Sequence, residues 1–192
     1  MQTLLQAYPK DVIARAGRIK AIITDVDGVL TAGSIIYDNS GNEYKIFNVK
    51  DGQIMKLLKW AGIFTGAITG RSSQVVKNRM TELDFDVHYH GIKDKVSQYR
   101  AILEEHGFKD EEVAFMGDDI IDIPILEQCG LAVCPADAKP YVRAHAHLVT
   151  YSIGGGGVFR EVGDLVMAAK GIFEEAIEQY LQFDREKSSK NV

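Results

Sequence analysis

Hydrophobic positions along this chain switch between two rhythms. Short continuous apolar runs alternate with longer stretches in which apolar residues return every three or four positions. The first rhythm predicts buried strands and the second amphipathic helices. A short helix is predicted over 9–17, with Pro9 near its start and Gly17 at its end, and a first strand over 20–24. Two apolar segments, 34–37 and 44–49, flank Asn39-Ser40-Gly41-Asn42 and predict a β-hairpin. Residues 51–61 carry Ile54, Leu57, Leu58 and Ala61 on one helical face.

Strand and helix then alternate regularly. Strands are predicted over 63–68, 86–89, 113–116, 131–133 and 147–149, with helices over 72–83, 93–106, 120–128 and 139–144 between them. Such alternation implies a parallel sheet with helices on both faces, whose ligands sit at the carboxyl ends of the strands. After Gly154-Gly155-Gly156-Gly157, which reads as a flexible hinge, helices are predicted over 159–169 and 173–183. Residues 186–192 are polar and predicted to fray.

The bulk properties narrow the classes of function. The chain has 192 residues, of which 46% are hydrophobic and 26% charged, which suits one domain with a proper core. Its net charge is −5, and no basic run is long enough to track a nucleic-acid backbone. Cys129 and Cys134 make no disulfide framework and read as small apolar residues of a reducing compartment. No apolar stretch reaches the roughly 18 residues of a membrane span, and no basic region followed by an apolar stretch opens the chain. The expected location is the cytoplasm.

Candidate chemistry collects at the predicted strand ends. Asp25 and Asp27 follow the first strand, Thr69-Gly70-Arg71 the second, residues 91–95 the third, and Gly117-Asp118-Asp119 the fourth, with Asp122 just beyond. Two carboxylates so close together repel unless a cation joins them or one is protonated. Asp25 and Asp118 can hold a hard cation such as Mg²⁺, while the Thr69 hydroxyl and the Lys95 ammonium can hold phosphate oxygens. One carboxylate can attack phosphorus, and a second can protonate the leaving alcohol and then activate water. Asp122 either joins this chemistry or only binds the loop amides, and Lys93 and Asp94 read as solvated.

The four ordered motifs, Asp25-Val26-Asp27-Gly28-Val29, Thr69, Lys95 and Gly117-Asp118-Asp119, resemble those of the haloacid dehalogenase (HAD) phosphohydrolases. The resemblance implies a Rossmann-like α/β fold with Asp25 as nucleophile and Asp27 as general acid/base. It places Mg²⁺ on the Asp25 side chain, the Asp27 carbonyl and Asp118, with Asp119 in support. The gaps between Asp27, Thr69 and Lys95 are about 40 and 25 residues, too short for a cap domain. A site open in the monomer predicts an oligomer in which a neighbour limits water. The apolar hairpin, with Ile35, Ile36, Tyr37, Tyr44, Ile46 and Phe47, reads either as an interface or as a flap folded back on its own domain.

Asn48-Val49-Lys50-Asp51-Gly52, the capless spacing and the glycine run before Arg160-Glu161-Val162 narrow the resemblance. The chain is similar nearly end to end to the 3-deoxy-D-manno-octulosonate 8-phosphate (KDO-8-phosphate) phosphatases of lipopolysaccharide biosynthesis. That likeness implies a Mg²⁺-dependent homotetramer, a protruding hairpin over 34–49 that assembles the subunits, and a flexible C-terminal segment over 154–192 that can reach a neighbouring site. It implies substrate contacts at residues 48–52, Lys56, Gly70, Arg71, Arg79 and Lys95, and at Asp27. Lys56 stands where that branch is expected to carry arginine. Arg71 and Arg79, eight positions apart, are expected on one helical face. Alternative readings are a phosphatase for a nine-carbon keto-acid 9-phosphate and a non-catalytic oligomerisation module. A phospho-acceptor receiver domain also uses an Asp cluster and a lysine, but in a different order.

Overall fold

The computed structural model describes residues 2–189. Its main sheet has six strands in the order β5-β4-β1-β6-β7-β8, every neighbouring pair parallel. These are β1 (Ala21–Thr24), β4 (Phe64–Thr69), β5 (Val87–His90), β6 (Val113–Met116), β7 (Leu131–Cys134) and β8 (Leu148–Val149). β1 lies at the point where the strand order reverses, so its carboxyl end opens onto the crevice such sheets use for ligands.

Both sheet faces are covered, which is why β1, β6 and β7 are buried at every position and apolar but for Thr24. Alternate residues of β1 enter different cores: Ile22 packs on one side, Ala21 and Ile23 on the other. The Ile22 side is covered by α2 (Lys10–Ala16), α3 (Val49–Trp60), α4 (Gln74–Glu82) and α8 (Val158–Ala169). The Ile23 side is covered by α5 (Lys95–His106), α6 (Ile123–Leu126) and α7 (Pro140–Arg143). Cys129 and Cys134 are free and buried in this second core, and burial pushes their thiols up to about 12 and about 11. They behave as the apolar residues the composition suggests.

Helix starts follow local chemistry. Asn48 Oδ1 accepts from the Lys50 amide at 2.9 Å and starts α3 at Val49, two residues before the expected start. Ser73 caps α4 and Asp94 caps α5; Asp94 is exposed, as expected, and has this structural task as well. The expected single helix over 120–128 is a 3₁₀ turn at Ile120–Asp122 followed by α6, with Pro124 in the first turn of α6. A short α1 (Gln2–Leu5) precedes α2. The last helix, α9 (Phe173–Ser189), runs past the expected stop at 183, so 186–189 are helical. The rest of the tail expected to fray, 190–192, lies outside the described residues.

The hairpin is shorter than expected: β2 (Ile36–Tyr37) and β3 (Glu43–Tyr44) pair over two residues each. Its turn is built on Asp38, whose Oδ1 accepts from the Ser40 and Asn42 amides, both at 2.9 Å. The Asn42 side chain, and then these amide bonds, hold the Asp38 carboxyl down at about 2. Ile35, Ile36, Tyr37, Tyr44 and Ile46 remain exposed on the hairpin, Ile46 to 76%.

Candidate active site

Backbone geometry delivers Asp25 to the sheet edge. Its amide donates to the Met116 carbonyl at 2.8 Å, extending the β1–β6 ladder by one residue. The chain then turns tightly, with the amides of Leu30 and Thr31 both donating to the Val26 carbonyl. Gly28 has φ +91°, and a Cβ there would stand 2.0 Å from Asp118 Oδ2. Only glycine lets the two acidic loops approach this closely.

Lys95, in the first turn of α5, is buried and bridges two carboxylates. Its Nζ lies 2.9 Å from Asp25 Oδ1 and 2.8 Å from Asp122 Oδ1. Asp122 is fully buried, and its Oδ2 accepts from the amides of Asp118 and Asp119 at 3.1 and 3.3 Å. It therefore binds the loop amides and orients Lys95. Asp119 lines the cleft and accepts from the Ile120 amide at 2.7 Å. Thr69 ends β4, buried, and its Oγ1 accepts from the Arg71 amide at 3.3 Å.

Charge in this cluster is out of balance. Carboxylate oxygens of Asp25, Asp118 and Asp122 lie within 4.8 Å of one another, against one ammonium. Burial, reinforced by Asp122, pushes the Asp25 carboxyl up to about 8 despite Lys95. Burial, then Asp122 and Asp119, pushes Asp118 up to about 7. Burial works against the Lys95 charge, yet Asp25 and Asp122 hold its pKa above the ordinary value. Asp118 Oδ1 is buried without a hydrogen-bond partner. An excess of buried carboxylate and an orphaned oxygen fit a hard divalent cation.

The cleft over these groups encloses about 280 Å³ and brings together Asp25, Asp27, Thr69, Gly70, Arg71, Lys95, Asp118 and Asp119, with Gly33 and Ile121. The hairpin folds its polar side back onto two of these lining residues, Asp27 and Arg71. Lys45 Nζ pairs with Asp27 Oδ1, and its side chain is fully buried. Glu43 accepts from Ser73 Oγ and, at 3.2 Å, from Arg71, which also donates to the Tyr37 hydroxyl. The Ser73 hydrogen bond, followed by Arg71 and Lys45, holds the Glu43 carboxyl below its usual range. Lys45 and Glu43 escape a sequence reading. Their one signal is alternation: Glu43 and Lys45 share one side of the strand, Tyr44 and Ile46 the other.

Other expected contacts lie elsewhere in the protomer. Among the described residues that line the cleft, none comes from 48–52, Lys56 or Arg79. Asn48 donates to the Gly155 carbonyl at 3.2 Å, and Asp51 is buried, accepting from the Arg160 amide at 2.8 Å. Val49 is exposed, Lys50 lines a groove with Tyr151 and Arg160, and Lys56 lies over the Phe183 ring. Arg71 and Arg79 share no helical face, because α4 begins only at Gln74. Arg71 turns to the cleft, whereas Arg79 packs over Phe47 and against Gly52.

The glycine run is packed rather than free. Gly155 donates to the Val29 carbonyl at 2.9 Å and Gly154 to Asp137 Oδ1 at 2.9 Å. The run buttresses the loop that carries Asp27.

A model of haloacid dehalogenase-like hydrolases matches residues 89–162. The 3-deoxy-D-manno-octulosonate 8-phosphate phosphatase of Escherichia coli strain K12 is 42% identical over 166 residues, covering 86% of this chain and 88% of that protein. The chain belongs to the KDO-8-phosphate phosphatase family. Crystal structures of family members agree. That of the Yersinia pestis enzyme is 41% identical, with a TM-score of 0.84 over 86% of this chain and 89% of the other. The Moraxella catarrhalis enzyme, in complex with magnesium, phosphate and KDO, is 32% identical, with a TM-score of 0.86 over 90% of this chain and 99% of that one. The HAD fold and phosphatase class implied by the four motifs are thus those of the family.

Proposed function

We infer that this protein is a Mg²⁺-dependent phosphatase that hydrolyses KDO-8-phosphate to KDO and inorganic phosphate in lipopolysaccharide biosynthesis. Family membership supports the substrate. The observation that carries the chemistry is the convergence of buried Asp25 and Lys95 with half-buried Asp118 beyond the carboxyl ends of β1, β5 and β6, with Asp27 two residues beyond the nucleophile.

Asp25 and Asp118 would hold Mg²⁺, with the Asp27 carbonyl completing the protein ligands and Asp119 beside them. The ion supplies positive charge to the phosphate oxygens, which lowers repulsion of the incoming carboxylate. The Thr69 hydroxyl and Lys95 bind the transferring phosphoryl group. An Asp25 oxygen forms a bond to phosphorus while the ester P–O bond breaks. The leaving alkoxide takes a proton from Asp27. Water then attacks phosphorus and gives its proton to Asp27, and the aspartyl–phosphorus bond breaks to restore Asp25. Lys95, held by Asp122, also keeps Asp25 aligned for attack.

Direct substrate contact is assigned to Asp27, Gly70, Arg71 and Lys95, which line the cleft. Asn48, Asp51, Gly52 and Arg79 have supporting roles, fastening α3 to the glycine run, α8 and α4. The exposed apolar side of the hairpin is buried against copies of the same chain in a homotetramer. The enzyme works in the cytoplasm, where its sugar-phosphate substrate is made.

The deciding experiment compares steady-state phosphate release from KDO-8-phosphate and KDN-9-phosphate, with Mg²⁺ and with EDTA. A kcat/KM at least about tenfold higher for the octulosonate, equivalent to about 1.4 kcal/mol, is expected. Preference for the nine-carbon ester would move the enzyme to that substrate. No metal-dependent turnover of either would overturn the assignment.

A further inference from the structure

We propose that Lys45 is a positioning residue of the phosphatase reaction, acting through Asp27. The proposal rests on the reading of Asp27 as acid and base. The hairpin inverts the usual burial pattern. Its large apolar side chains point to solvent, whereas its lysine side chain is fully buried. A lysine seldom gives up water unless its ammonium is matched by fixed acceptors. Those acceptors are Asp27 Oδ1, in direct contact, and Glu43 Oε1 at 3.7 Å.

Glu43 is anchored in turn from two other points. Arg71 donates to it at 3.2 Å and Ser73 donates through its hydroxyl. The chain Asp27–Lys45–Glu43–Arg71 therefore links the loop after β1, the hairpin and the loop after β4. With Asp27 ionised, as it is when it serves as base, the four charges cancel; with the acid's proton on Oδ2, Lys45 still donates to Oδ1 and the network carries one net positive charge. Asp27 has only one side-chain oxygen engaged, since Oδ2 is buried without a partner. Fixing Oδ1 fixes the carboxyl plane, and so determines where Oδ2 is placed to pass its proton to the leaving oxygen. Asp25 needs no such device, because the β1–β6 ladder and Lys95 already fix it.

The test uses the full-length enzyme with Mg²⁺ and two esters that differ in their need for an acid. KDO-8-phosphate releases a poor alkoxide, whereas p-nitrophenyl phosphate releases a phenolate that leaves without a proton. Lys45→Met is expected to lower kcat for KDO-8-phosphate about tenfold or more. The first-turnover burst of p-nitrophenolate is expected to change less than about threefold, because that step needs no acid. Lys45→Arg should restore most of the loss. In an Asp27→Asn background, Lys45→Met should add less than about twofold.

Equal losses on both esters, or losses that multiply with Asp27→Asn, would overturn the proposal. If Asp27→Asn is slow while Lys45→Met is normal on KDO-8-phosphate, only Lys45 loses its role. If Asp27→Asn itself keeps near-normal turnover, the acid/base reading fails independently. Should Lys45→Met lack the native circular dichroism spectrum, Lys45→Gln is read by the same criteria.

Discussion

A Cβ added to Gly154 would stand 2.2 Å from the carbonyl oxygen of Gly28. The two residues are far apart in sequence, yet their backbones touch directly behind the loop that carries Asp27. Gly154→Ala must push this loop toward the cleft or tear the glycine run from it. Overpacking of this kind costs about 1–3 kcal/mol. The expected outcome is a folded enzyme with kcat reduced about tenfold or more, since small misplacements of catalytic groups are expensive. Unchanged kcat, with stability followed by urea unfolding, would show that the contact does not set the loop.

Asp51 predicts a pH effect separate from catalysis. Burial pushes its carboxyl up to about 6, although the Arg160 amide and the Arg79 charge pull the other way. Its unfolded value is about 3.9. Below that value both states hold the proton, and the stability from this group is fully present. As pH rises to about 6 the unfolded chain releases the proton first, so stability falls, by about 2–3 kcal/mol in all. Asp51→Asn should flatten this part of the profile. Urea midpoints of wild type and variant at pH 4.5 and 7 measure the difference, and parallel profiles would contradict it.

Metal removal should be visible in stability. Asp25 and Asp118 are pushed up to about 8 and about 7, so protons compete with Mg²⁺ for them. Mg²⁺ at about 100 times its Kd should add about 2.7 kcal/mol of stability. The gain should be larger at pH 8 than at pH 6, because fewer protons must be displaced. Thermal melts with Mg²⁺ and with EDTA at the two pH values check both statements.

Ile46 tests the interface. It is 76% exposed in the protomer and lies on the hairpin side away from Lys45. If the proposed tetramer forms through this face, Ile46→Asp should give smaller species than wild type by sedimentation velocity, because a buried apolar hot spot is worth about 2 kcal/mol or more. An intact tetramer would place the interface elsewhere.

The parts legible in the sequence are those fixed by local pattern. An apolar run ending in Asp25-Val26-Asp27-Gly28 is a strand delivering carboxylates to a sheet edge, and the alternation that follows determines the parallel sheet. Thr69, Lys95 and Asp118 were placed by the same logic at neighbouring strand ends. What was not legible depends on distant partners. Lys45 carries no local signal of its role, because its partner Asp27 lies 18 positions earlier. Gly154 to Gly157 read as a hinge because flexibility is the local property of glycine, whereas the demand for glycine comes from Gly28 and Ala32. The substrate contact at Arg79 is implied by the resemblance alone, and its packing over Phe47 and against Gly52 in the protomer has no signal in the sequence.

Asp25 and Asp27, the carboxylates proposed as nucleophile and acid, lie in parts of the fold that should open with different local free energies. Asp25 is hydrogen-bonded into the central strands, whose amides should exchange with solvent only on global unfolding. The Asp27 carboxyl is held by Lys45, which follows a two-residue ladder, and so short a ladder should open before the six-stranded sheet does. In mild denaturant the enzyme should therefore still accept phosphate from an activated ester while turnover of the alkyl ester fails. The native ensemble would then contain a folded, phosphorylatable species that has lost only its acid.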